Sequence, residues 1–164
     1  MGIRLIAAMG LLVWLGPRMA AQTIAPKTLS REMLTAHNRA RARMGVPPLN
    51  WSPKLADVAQ EWADYLLASG RFTHRPKSGY GENLFAIQGG RAKSSEVVAD
   101  WAAEARDYDA ARNTCRARAM CGHYTQVVWR NTRQVGCGVA QRRGRQVWVC
   151  NYDPPGNWVG ERPF

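Results

Sequence analysis

Apolar positions along this chain repeat at two distinct periods, and the change between them marks out the elements. From Leu29 to Met44 the residues Leu29, Met33, Ala36, His37, Ala40 and Met44 fall three or four apart on one helical face, and Gly45 stops the pattern. Ser52-Pro53 opens a second helix, with Ser as N-cap and Pro at the first position, where its missing N–H costs nothing. Leu55, Ala59, Trp62 and Leu66 form its buried stripe, and Gly70 ends it. A third helix starts near Ser94 or Ser95 and carries Val97, Val98 and Trp101. A short fourth begins near His123, with Tyr124, Val127 and Val128 spaced to face inward.

The period then shortens to two. Val135 to Gln141 and Gln146 to Tyr152 read as strands, and Arg143-Gly144 makes a two-residue hairpin turn in which Gly takes positive φ. Pairing Arg142 with Arg145 sets Gln141 opposite Gln146, Val139 opposite Trp148 and Cys137 opposite Cys150. Counted outward from the turn, the two cysteines occupy a non-hydrogen-bonded pair with Cα atoms ~4.5 Å apart, within disulfide range. Cys115 and Cys121 are left to pair across a short arginine-rich loop. Both hairpin faces are apolar: Val135, Cys137, Val139 and Trp148 on one, and Gly136, Gly138, Ala140, Val147 and Val149 on the other. A sheet buried on both sides needs helices on both sides, and the small residues of the second face let a helix come close. The predicted fold class is α+β, a three-layer α–β–α sandwich with a small antiparallel sheet between helices.

The first residues read differently. Arg4 followed by the apolar run Leu5–Leu15 and the small residues Met19-Ala20-Ala21 describes an export signal cleaved after Ala21, and the run is too short for the ~20 residues a membrane span needs. The expected organisation is a signal peptide over 1–21, a short segment over 22–28 and a single domain over 29–164. Removing 21 of 164 residues leaves 143, enough for one ordinary domain with its own core. Four cysteines in an exported chain read as two disulfides, and their spacing matches no CxxC zinc pair. The formal charge of +11 includes Arg4 and Arg18, so the exported chain carries about +9, with 19 arginines against 4 lysines. Many of those arginines sit on helix faces as solvated charges; the surplus also favours anionic cell-envelope components over nucleic acid, which an exported protein seldom meets.

Familiar catalytic signatures are missing: the chain has no GxSxG elbow and no HExxH, and its cysteines are all committed to bridges. His and Glu instead recur in distinctive settings: Phe72-Thr73-His74, Gly81-Glu82-Asn83-Leu84, Trp101-Ala102-Ala103-Glu104 and Gly122-His123-Tyr124-Thr125-Gln126. Taken singly, each is a surface carboxylate or a hydrogen-bonded imidazole.

Taken in order they say more. Gly122-His123-Tyr124-Thr125-Gln126-Val127-Val128-Trp129-Arg130-Asn131-Thr132 and Cys150-Asn151-Tyr152-Asp153-Pro154-Pro155-Gly156-Asn157-Trp158 resemble the two signatures of the CAP superfamily, the cysteine-rich secretory, antigen 5 and pathogenesis-related 1 proteins. His37-Asn38-Arg39 and Gly81-Glu82-Asn83-Leu84 resemble its two shorter motifs, and the plant type is nearest. The resemblance runs from about Leu29 to Phe164. It implies the α–β–α sandwich already inferred and a cleft lined by His74, Glu82, Glu104 and His123 as ligand-binding residues. In some relatives the two histidines hold zinc, which here would fall to His74 and His123 with the glutamates orienting them. His37, on the apolar helix face, reads as a satisfied core histidine. Two departures stand out. The plant type's third disulfide would need cysteines near Gly70 and Arg142, where there are none, and no cysteine-rich tail follows the domain.

The function implied is a secreted, extracellular or periplasmic, non-catalytic module for a lipid, sterol or cell-envelope ligand, with zinc as an optional cofactor. The alternative is a hydrolase, metal-assisted or with two carboxylates acting on a glycan, in the same cleft. No nucleophile is evident, so the reading leans away from an enzyme.

Overall fold

The glycines of the hairpin set the spacing of the layers. In the computed structural model, which describes residues 26–164, a Cβ on Gly136 or Gly138 would lie closer than 3.0 Å to the backbone of the helix Pro53–Ser69. This helix, α2, therefore rests backbone-on-backbone against the sheet. The export signal read over 1–21 lies outside the described residues.

Along the chain follow α1 (Pro26–Arg43), β1 (Asn50–Trp51), α2, β2 (Gly81–Gln88), α3 (Ser94–Ala103), a 3₁₀ turn (Glu104–Asp107), β3 (Tyr108–Asp109), β4 (Thr114–Cys115), α4 (Gly122–Val127), β5 (Gln134–Arg142) and β6 (Arg145–Asp153). The four-stranded sheet has the order β1-β5-β6-β2, and α2 covers one face while α1, α3 and α4 cover the other. Under α2 lie Ala59, Ala63 and Leu66 against Leu84, Ala140, Val147 and Val149. On the opposite face Met33, Val97, Trp101 and Val127 pack on Val135, Trp148 and Tyr152. The three-layer α–β–α sandwich is the fold expected.

Local signals hold well. Ser52 caps α2 by accepting from Leu55 N, and Gly70 ends it at φ 72°, a left-handed C-terminal cap. Glu96 accepts from Lys93 N (2.8 Å) in the first turn of α3. The hairpin register is the one counted from the turn, with Gln141 opposite Gln146 and Cys137 opposite Cys150, and both disulfides, Cys115–Cys121 and Cys137–Cys150, are formed.

The structure also departs from the sequence reading. The sheet is mixed rather than purely antiparallel, because β1 runs parallel to β5 through Asn50↔Gln134 and Trp51↔Val135. A two-residue strand has no periodicity to reveal it; tertiary packing alone puts it there. A second ribbon, β3–β4, is equally short. Helix α1 starts at Pro26 instead of Leu29, and the buried stripe of α2 is Leu55, Ala59, Ala63 and Leu66, with Ala63 in place of the half-buried Trp62.

Two polar side chains, the fully buried Arg41 and the half-buried Gln60, lock neighbouring elements together. Arg41, fully buried, donates to the carbonyls of Pro47, Val127, Trp129, Arg130 and Thr132, holding the segment after α4 against α1. Gln60 of α2 bonds both the N–H (3.0 Å) and the carbonyl (3.1 Å) of Val139 on β5, beyond the reach of short β1.

Candidate functional site

Glu104, in the 3₁₀ turn after α3, reaches the start of α4. Its Oε2 accepts from the backbone N–H groups of His123 (3.0 Å) and Tyr124 (3.1 Å), two of the donors a helix leaves unpaired at its N-terminus. Its Oε1 accepts from His123 Nδ1 at 2.7 Å. One carboxylate thus fixes both the helix end and the imidazole, while Trp101 stacks near the ring with centroids 6.1 Å apart.

A second dyad repeats the arrangement. Glu82, almost wholly buried near the start of β2, accepts through Oε1 from His74 Nδ1 (2.7 Å) and from Arg75 N (3.1 Å). The Arg75 side chain turns away to pair with Glu61 (3.2 Å) and lie over Trp62, which pins the loop to α2. The His74 side chain is 65 % exposed. The hydrogen bond to Glu82, aided by its charge and opposed by partial burial, raises the His74 pKa above its ordinary value.

Asn83 connects the two dyads. Next in chain to Glu82, it donates from Nδ2 to the carbonyl of His123 (3.1 Å) and to Tyr152 Oη (3.2 Å). Tyr152 Oη in turn donates to Nε2 of His37 (2.8 Å), whose Nδ1–H is held by Met33 O (2.8 Å). His37 is therefore a fully buried, hydrogen-bonded core residue, and burial lowers its pKa to about 4. The chain His37–Tyr152–Asn83–His123 was not evident from sequence beyond Asn83's place in the Gly81-Glu82-Asn83-Leu84 motif.

The four anticipated residues are thus held as two dyads, Glu82 near the start of β2 with His74 of the preceding loop, and His123 at the start of α4 with Glu104 of the 3₁₀ turn. Among the described residues no three or more His, Cys, Asp or Glu side chains are grouped to hold a metal ion. An ionised carboxylate can only accept, so in the neutral form of each imidazole Nδ1 carries the proton and Nε2 keeps its lone pair, the orientation that metal-binding imidazoles adopt. Glu82 Oε2 is buried with no hydrogen-bond partner among the described residues. Each imidazole so oriented has one nitrogen to offer a metal ion, and with all four cysteines in disulfides there is no thiolate for a closed structural zinc centre.

The structure also shows a feature that sequence reading missed. A cavity of about 420 Å³ opens between α4, the loop closed by Cys115–Cys121 and the C-terminal segment, with Tyr108, Met120, Trp129, Trp158 and Pro163 among its walls. None of the four His and Glu residues lines it. Its walls are tied by Asn113 Nδ2 to Glu161 O (2.9 Å), Asn157 Nδ2 to Gly122 O (2.8 Å) and Arg130 N to Pro163 O (2.6 Å). Phe164 closes an edge-to-face cluster with Tyr108 and Tyr124. Trp129 and Trp158 stand inside the two signature motifs, a cue that pointed here only once the chain was folded.

Comparison with known proteins fits this picture. The cysteine-rich secretory protein family model matches residues 34–152. Pathogenesis-related leaf protein 4 of Solanum lycopersicum is 47 % identical over 135 residues, 82 % of each chain. Pathogenesis-related protein 1A of Nicotiana tabacum is 45 % identical over 135 residues, 82 % of this chain and 80 % of that one. Among solved structures, Schistosoma mansoni venom allergen-like protein 4 matches with TM-score 0.67 at 24 % identity, covering 83 % of this chain and 93 % of that one. NaASP2 with Zn2+ matches with TM-score 0.67 at 20 % identity, covering 83 % and 84 %. With four ordered motifs, the sandwich and a family match across most of its length, this chain belongs to the CAP family of cysteine-rich secretory proteins, alongside the plant pathogenesis-related 1 proteins.

Proposed function

We propose that this protein is an extracellular binding module that takes a lipid, sterol or similar amphiphile in the groove between α4 and the C-terminal segment. The groove itself carries the reading: its volume lies within the ~300–1,000 Å³ usual for small-molecule sites, and aromatic and aliphatic side chains wall it beside a few polar groups. Two disulfides agree with an oxidising compartment. A fluorescent fatty acid and a fluorescent sterol, each below its aggregation concentration, test it by titration. Saturable one-to-one binding of either, weakened at least tenfold (about 1.4 kcal/mol) by Trp158→Ala, is the expected outcome. Absence of binding for both, or binding indifferent to Trp158→Ala, refutes it.

The dyads support a second reading, a zinc ion held by His74 and His123 with Glu82 and Glu104 fixing the ligand tautomers. The free Nε2 atoms favour it, and one similar fold was solved with zinc. Because ligating imidazoles must be neutral, affinity falls steeply between about pH 7.5 and 5.5. Calorimetric zinc titration of wild type and His74→Ala/His123→Ala decides, since equal affinity in both proteins rules the dyads out.

A further inference from the structure

We propose that the mouth of the groove docks on the surface of an anionic lipid bilayer. The inference deepens the amphiphile-binding reading and takes its purpose from it. The first observation is apolar exposure at the rim. Met120 is 64 % exposed on one wall, Trp158 57 % exposed on the other, and Val159 beside it fully exposed. Large apolar side chains grouped at a cavity mouth mark a contact surface, and Trp in particular suits the headgroup boundary of a membrane.

The second observation is charge. Arg106, Arg112, Arg116, Arg118, Arg130 and Arg162 are exposed on the segments that build the groove, against Asp107, Asp109 and Glu161. Asp107 is already paired with Arg106 and Arg116, and Asp109 with Arg112. The side chains of Arg118 and Arg130 enter no hydrogen bond or ion pair among the described residues, leaving both guanidinium groups for an outside anion. Arg118 stands at φ 67° in the short loop closed by Cys115–Cys121, so its backbone is held by a covalent staple.

The combination selects the partner. An acidic polysaccharide would be met by arginines alone and has no use for exposed Met120 and Val159. An anionic bilayer offers phosphate to the arginines and the acyl boundary to the apolar tips. No helix among the described residues is long and apolar enough to cross a membrane. A groove mouth held against the bilayer is also where a lipid would enter.

The test is co-sedimentation of the folded, disulfide-bonded protein with phosphatidylcholine vesicles with and without phosphatidylglycerol, at low and high salt, beside a titration with soluble polygalacturonate. The expected result is binding strengthened about tenfold or more by phosphatidylglycerol, two arginines' worth at the surface, and weakened by salt. Val159→Glu and Arg118→Glu, neither of which lines the groove, each abolish vesicle binding with circular dichroism unchanged. Absence of vesicle binding overturns the proposal. So does vesicle binding indifferent to Val159→Glu, or binding to polygalacturonate that exceeds vesicle binding and ignores Val159→Glu. Retained binding of monomeric fatty acid or sterol by the same variants separates a failure of docking from a failure of the groove reading.

Discussion

Replacing Gly138 with Ala adds one methyl group where the structure has no room for it. The new Cβ would sit closer than 3.0 Å to both N and Cα of Gln60 and 2.9 Å from the carbonyl carbon of Ala59. These are backbone atoms in the middle of α2, so no side-chain rotation relieves the clash, and either the helix lifts or the strand bends. Overpacking a core costs about 1–3 kcal/mol where side chains can adjust, and a backbone clash lies at or above the upper end. Lifting α2 also strains the two hydrogen bonds from Gln60 to Val139, each worth about 1 kcal/mol net. The estimate is about 3–5 kcal/mol, which for a domain of this size lowers the melting temperature by roughly 10 °C or more. Thermal unfolding followed by circular dichroism under non-reducing conditions measures it. Gly90→Ala is the control: its Cβ meets only Ile87 Cδ1 at 3.5 Å, an ordinary contact, and its φ is not in the left-handed region. Its melting temperature should stay within about 2 °C of wild type. A Gly138→Ala protein melting as high as Gly90→Ala would refute the close seating of α2 and with it the reason for glycine at this position.

Two further outcomes follow from the buried polar groups. His37 has a folded-state pKa of about 4 against roughly 6.5 when unfolded, so its contribution to stability is intact above about pH 6.5 and is lost as pH falls towards 4. That loss is on the order of 3 kcal/mol, and urea midpoints at pH 7 and pH 4.5 should converge for wild type and His37→Gln; an equal gap at both pH values contradicts it. Arg41→Met leaves the carbonyls of Val127, Trp129 and Thr132 without their buried donor and should cost at least about 3 kcal/mol in urea unfolding. Arg41→Lys should recover less than half of that, since one ammonium cannot span the acceptors the guanidinium fork reaches; full recovery would show that charge alone suffices.

What the sequence determined by itself is local. The helices were legible because apolar residues at three- and four-residue spacing have only one way to face a core, and Ser52-Pro53 and Gly70 mark their ends with backbone chemistry that needs no distant partner. The β5–β6 register was legible because a two-residue turn at Arg143-Gly144 fixes every pair behind it, which placed Cys137 against Cys150. The motifs named the four His and Glu residues, but not their pairing. His74 meets Glu82 across 8 residues and His123 meets Glu104 across 19, and which imidazole finds which carboxylate depends on how the loop after α2 and the end of α3 settle against β2 and α4. The relay from His37 to Tyr152 spans 115 residues, and β1 has two residues and no period of its own. The groove is wholly tertiary. Tyr108, Met120 and Trp158 carry no shared spacing, and they converge only because the disulfide loop and the C-terminal segment pack on the same side of α4.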